Sequence, residues 1–95
     1  MLKVIENINE FEEAIKGKVL VDFFATWCGP CRMLSPILED ISKEHDVIKV
    51  DIDNFEELAV RYGIESIPTV ISFENGEIKN RRVGFGQKAD ILKLL

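Results

Sequence analysis

The stretch that most constrains this chain runs from Val19 to Cys31 and holds both of its cysteines. Val19-Leu20-Val21-Asp22-Phe23-Phe24-Ala25 is apolar on both faces of a period-2 alternation, the pattern of a central strand covered by helices on either side. Asp22 is the one interruption. After Trp27 the period changes, because Cys31, Leu34, Leu38 and Ile41 recur at three- and four-residue steps along one helical face. Cys28 is therefore expected where a buried strand ends and a helix begins.

That position has chemical consequences, since only the thiolate form of cysteine is nucleophilic. Unpaired N–H groups and the positive dipole end of a starting helix favour negative charge on a sulfur at Cys28. Pro30 is tolerated in the first turn, which needs no intrahelical donor, and its fixed φ presets the helix. Three residues apart, Cys28 and Cys31 share one side of a helix at roughly 5–6 Å between Cβ atoms, close enough to join in a disulfide. A Cys-x-x-Cys pair is also half of a tetrahedral zinc site, but the only other ligand of that type is the distant His45, so a dimer or partner would have to complete it. A purely structural disulfide here closes too short a loop to constrain the unfolded chain appreciably. The spacing favours redox chemistry, with shared metal binding and inert packing as the alternatives.

Ninety-five residues with 46% hydrophobic content suit a single domain, residues 1–95, with one core. A net charge of −5 argues against a general nucleic-acid binder. Lys3, Glu6, Glu10, Glu12 and Glu13 break up any N-terminal signal-peptide core, and no apolar run approaches membrane-spanning length. Two cysteines at catalytic spacing, with none left over for a disulfide framework, fit a reducing compartment. A soluble cytoplasmic protein without nucleic-acid or membrane partners is the expectation.

Along the chain, Met1 to Ile5 reads as a short edge strand. Asn9 with Glu12 resembles a capping box, followed by a helix with Phe11, Ala14 and Ile15 on its apolar face and Gly17 at its end. The cysteine-bearing helix is expected from Cys28 to Glu44, kinked near Arg32 to Pro36. Val47 to Asp53 alternates as a strand, and Asn54 with Glu57 caps a short helix that Gly63 ends. This βαβ pattern implies parallel strands. Thr69 to Phe73 and Ile78 to Val83 flank Asn75-Gly76, a strong hairpin signal, so the sheet is mixed. A final helix carries Ala89, Ile91, Leu92 and Leu95. The sum is an α/β fold with a five-stranded mixed sheet and four helices.

Several residues bear on the chemistry. A buried, unpaired carboxylate at Asp22 costs several kcal/mol, so its pKa should rise. Such a group is suited to accept the proton that Cys31 must lose before attacking, through water; the alternative is a structural aspartate bonded to backbone. Lys49 alternates with Asp51 and Asp53, so by pattern alone it could merely be solvated. Trp27 and Phe85 are either exposed docking residues or partly buried packing residues. His45 reads as a solvated connection residue. Glu12-Glu13 and Glu56-Glu57 suit the first turns of helices. Lys79, Arg81 and Arg82 read as guards of a sheet edge.

Trp27-Cys28-Gly29-Pro30-Cys31 resembles the active-site signature of the thioredoxin family. Val21-Asp22-Phe23, Ile67-Pro68-Thr69 and Val83-Gly84 follow in that family's order, so the likeness spans essentially the whole chain. It implies the thioredoxin fold with its particular strand order, and a protein-disulfide reductase in which Cys28 is the nucleophile and Cys31 the resolving thiol. It further implies proton transfer by Asp22 with Lys49 nearby, and a redox potential modulated by Gly29 and Pro30. Pro68 should be cis and face the cysteines, with Trp27, Gly29, Pro30, Ile67, Gly84 and Phe85 forming a flat, uncharged docking surface for protein substrates. The resemblance implies no cofactor and no metal, with electrons arriving from thioredoxin reductase and a role in cell redox homeostasis as a monomer. An oxidant or isomerase of the same fold, a pure binding module and a metal-bridged dimer are the rival readings. Phe24 stands where many members carry a second tryptophan, and the final helix is short for the family.

Overall fold

The computed structural model describes residues 1–95. Its elements in chain order are β1 (Leu2–Val4), α1 (Ile8–Ala14), β2 (Lys18–Phe24), α2 (Gly29–Ile41), β3 (Val47–Asp51), α3 (Glu56–Arg61), β4 (Thr69–Glu74), β5 (Glu77–Val83) and α4 (Lys88–Leu92). The sheet order is β1-β3-β2-β4-β5. β3 runs parallel to both β1 and β2, whereas β4 is antiparallel to β2 and β5 to β4. β2, the doubly apolar run, lies in the middle of the sheet, and Val19 to Phe23 are all buried. The β4–β5 turn at Asn75-Gly76 has φ of 55° and 82°, the left-handed pair that a two-residue hairpin requires.

The two faces of β2 feed two cores. Val19, Val21 and Phe23 join Phe11, Leu58 and Phe73 in a core under α1 and α3. Its aromatic rings meet edge-on or tilted, with Tyr62 5.3 Å from Phe73 and 5.6 Å from Phe11. Such pairs add about 0.5–1.5 kcal/mol beyond area burial. Leu20 joins Leu34, Leu38, Ile41, Val70 and Ile91 in a second, largely aliphatic core under α2 and α4. By the same alternation, Asp22 points toward the α2 side.

Element boundaries depart from the sequence expectations in instructive ways. The N-cap of α1 is Asn7, not Asn9: its side chain accepts the Glu10 N–H at 2.9 Å, while the Glu10 carboxylate accepts the Glu6 N–H at 2.8 Å. Starting there puts Ile8 on the helix, where it packs against the aromatic core with Phe11. Glu12 and Glu13 consequently lie beyond the first turn, and Glu12 pairs instead with Arg61 at 2.8 Å. Gly17 follows the end of α1 without a left-handed φ, whereas Gly63 does end α3 with φ 62°. α3 is capped by Phe55 and has no side-chain cap from Asn54, because the Asp51 carbonyl accepts both the Asn54 and Phe55 N–H groups in a turn that delays the helix. α2 ends at Ile41 rather than Glu44, with Pro36 inside it.

The short α4 is tied to the sheet by a polar clasp. Buried Ser72 donates to the Leu94 carbonyl at 2.6 Å and accepts from the Asn80 N–H at 3.1 Å, and the Asn80 amide donates to the same carbonyl at 3.0 Å. The β4–β5 register shifts at this point, between Ser72 and Phe73. Ser72→Ala leaves two inward groups short of a partner, so urea denaturation should show a loss of about 1–2 kcal/mol. An unchanged midpoint would mean that the clasp contributes nothing.

Candidate active site

At the end of β2 the chain turns so that Cys28 becomes the N-cap of α2, with φ −90° and ψ 113°. Its carbonyl accepts the Arg32 N–H at 3.2 Å, and its Sγ takes the usual place of a capping oxygen, 3.2 Å from the Cys31 N–H. A sulfur so placed faces the unpaired donors and positive end of the helix, an arrangement that stabilises negative charge on it. Pro30 sits in the first turn, where no intrahelical donor is missed. Cys28 and Cys31 are joined in a disulfide, their Cα atoms 5.2 Å apart. The exposures of 5% for Cys28 and 2% for Cys31 leave the first as the outer sulfur by a narrow margin.

A second segment closes over this pair. The Ile67–Pro68 bond is cis, and the Ile67 carbonyl oxygen lies 3.8 Å from Cys28 Sγ. Ile67 packs with Ala25, Cys28 and Cys31 in one small cluster. The Gly84 N–H donates to the Pro68 carbonyl at 2.7 Å, with Gly84 at φ 92°, a conformation open to glycine. Trp27 is 66% exposed, its indole N–H held by Asp53 Oδ2 at 2.8 Å. Phe85 behaves differently: it is half-buried and packs onto the aliphatic core. The two aromatics thus divide between the alternatives that the sequence leaves open.

The α2-facing side of the sheet carries an acid–base pair, Asp22 and Lys49. Asp22 is fully buried, and neither carboxylate oxygen has a hydrogen-bond partner. Burial pushes its pKa up to about 7, partly opposed by the positive charge of Lys49. Lys49 is in register with Asp22, and its Nζ lies 4.0 Å from Asp22 Oδ2. The solvated alternative for Lys49 gives way: its face of β3 is also that of buried Val47, and α2 covers it. The ammonium lies 4.5 Å from the centre of the Phe24 ring and donates to Ser35 Oγ at 3.0 Å.

Three residues without a sequence signal shape the site. Asp53 orients Trp27, and Ser35 anchors Lys49. Arg82, expected as an edge guard, instead folds inward: its guanidinium donates to the Phe85 carbonyl at 3.1 Å and lies where a Cβ on Gly86 would meet it at 2.5 Å. Lys79 and Arg81 are exposed on the edge strand as expected. His45 is half-buried in its connection and stands apart from the site.

A disulfide at the mouth of a helix, beside a cis-proline loop, defines a thiol-disulfide oxidoreductase centre built from the chain's own two sulfurs. The family model described as Thioredoxin matches residues 3–95. A thioredoxin of Rickettsia bellii is 50% identical over 88 residues, covering 86% of this chain and 84% of the relative. One from Chlamydia trachomatis is 42% identical over 98 residues, covering 100% of this chain and 96% of the relative. Among solved structures, a mutant thioredoxin from Halobacterium salinarum superimposes with a TM-score of 0.91 at 32% identity, covering 98% of this chain and 86% of that one. The chain belongs to the thioredoxin family. It is a protein-disulfide oxidoreductase that works by dithiol–disulfide exchange through Cys28 and Cys31.

The Asp22 environment has a measurable effect on stability. A carboxyl whose pKa is about 7 when folded, against an ordinary 3.8, binds its proton more tightly in the native state. Native stability is therefore lost as pH rises through that window. In the oxidised protein, wild type should lose roughly 4 kcal/mol relative to Asp22→Asn between about pH 4 and about pH 8. Parallel stability curves for the two proteins would contradict the buried, unpaired state of this carboxylate.

Proposed function

We propose that Cys28 is the attacking sulfur and Cys31 the resolving one, with Asp22 as proton acceptor and Lys49 as the charge that modulates it. The Cys28 thiolate attacks one sulfur of a disulfide in a partner protein, and the partner's other sulfur leaves as a thiolate. Cys31 then gives its proton toward the Asp22 carboxylate, through water, and attacks Cys28 Sγ. The Cys28–Cys31 bond forms, the mixed disulfide breaks, and the partner leaves with both sulfurs reduced. Two electrons have passed from the dithiol to the partner. The observation that carries this division of roles is the capping position of Cys28 Sγ, which favours its thiolate, set against Cys31 one turn inside the helix.

A pKa of about 7 suits the proton transfer, because at neutral pH the carboxyl populates both forms and can accept and return a proton without a large energetic step. Gly29 and Pro30, between the sulfurs, tune the redox potential. Trp27, Ile67, Pro68 and Gly84 receive an extended segment of the partner, with Phe85 supporting the loop from beneath more than touching it. Its packing on the aliphatic core supports this role for Phe85. Regeneration of the dithiol takes an external donor, and thioredoxin reductase is the expected one. The protein acts as a monomer in the cytoplasm, in electron transport and redox homeostasis. No helix is long and apolar enough to cross a membrane.

Two variants test the scheme. Cys31→Ser should trap the mixed disulfide with an insulin-type substrate, visible as a covalent adduct released by dithiothreitol; rapid turnover by this variant would refute the division of roles. In wild type, the rate of resolution should rise with pH through about 7 as Asp22 ionises. Asp22→Ala should lose that step and resolve about 10–100-fold more slowly at neutral pH. A profile that keeps the step would make Asp22 structural.

A further inference from the structure

We propose that Ser35 is a positioning residue: its hydroxyl anchors the Lys49 ammonium on α2 and so sets how strongly that charge acts on Asp22. The donor and acceptor roles follow from the groups themselves. Lys49 Nζ donates to Ser35 Oγ at 3.0 Å, and the same hydroxyl donates its one proton to the Cys31 carbonyl at 3.3 Å. An ammonium has only donors, so the hydroxyl must accept from it and pass its own proton on. A relay thus runs from Lys49 through Ser35 to the backbone of the inner cysteine.

The separation between Lys49 and Asp22 follows from this anchor. At 4.0 Å the ammonium is beyond hydrogen-bond reach of the carboxylate, whose oxygens have no partner at all. A free lysine beside two unpartnered carboxylate oxygens would close that gap. Ser35 on one side and the Phe24 ring on another hold the charge back. Lys49 is the one charged group acting on Asp22. Of the other neighbours, β4 sets apolar Val70 in register with Asp22, and α2 contributes the uncharged Ser35 next to Lys49. The cysteines do not titrate while they are joined in the disulfide.

Removing the hydroxyl lets the ammonium move onto the carboxylate, and an opposite charge at shorter range favours the ionised form. In the oxidised protein, the carboxyl 13C resonance of Asp22 followed against pH should show a midpoint about one unit lower in Ser35→Ala than in wild type. Ser35→Thr, which keeps the hydroxyl, should restore the wild-type midpoint. Lys49→Met should move it the other way. A Ser35→Ala midpoint equal to or above that of wild type would overturn the anchoring role, as would a Ser35→Thr midpoint matching that of Ser35→Ala. Alanine at a helix interior preserves the fold, and Ser35→Thr provides a second reading if it does not.

This inference deepens the proton-transfer reading of Asp22 and rests on it for its functional meaning, but the two fail separately. The pH profile of mixed-disulfide resolution should shift downward with the carboxyl midpoint in Ser35→Ala. If the midpoint shifts and the rate profile does not, Ser35 does anchor Lys49 and proton transfer by Asp22 is the reading that falls.

Discussion

The central position of β2 is the constraint from which the rest of the site follows. It is hydrogen-bonded to β3 on one side and β4 on the other, and its two faces are covered by two different cores. A strand enclosed in this way has no solvent to offer a polar side chain, so the one aspartate it carries must be dry. The same strand ends where a helix begins, and that junction is where Cys28 sits. The buried carboxylate and the helix-capping sulfur are therefore two results of one piece of topology.

The two electrostatic environments on this strand and its following helix are distinct. At Cys28 the helix terminus supplies fixed partial positive charge through N–H groups that need no reorganisation. At Asp22 the surroundings withhold such donors, and the nearest full charge is held at arm's length. The helix end thus favours negative charge on Cys28 Sγ, whereas burial raises the pKa of Asp22. Thiol–disulfide exchange proceeds through thiolate attack, so charge on the sulfur governs its rate.

Much of this is legible in the sequence, because the change from period 2 to period 3.6 around Trp27 reports a physical boundary and not a statistical preference. The strand content, the Asn75-Gly76 hairpin and the buried Asp22 can be read from residue pattern alone, and the family resemblance adds the strand order and the cis Pro68. What pattern does not resolve is local competition between equivalent signals. Asn7 with Glu10 and Asn9 with Glu12 offer the same cap spacing, and the choice between them is made by Ile8, which must reach the aromatic core. For Lys49 the alternation is real, but periodicity cannot say which layer covers a face, and α2 turns an apparently solvated position into part of the site. Arg82 departs from expectation for a related reason: an edge strand exposes its backbone, yet one of its side chains can still fold back under a neighbouring loop. A single serine in a helix carries no pattern at all, and Ser35 becomes visible only through its partners.

The exposed indole has a further use. Trp27 is the only tryptophan in the chain, it lies next in sequence to the reactive sulfur, and a hydrogen bond to Asp53 fixes its orientation. Tryptophan emission from this protein therefore originates beside Cys28 and not in either core. An indole so close to the Cys28–Cys31 bond gives an intrinsic optical probe of that bond's redox state that requires no label.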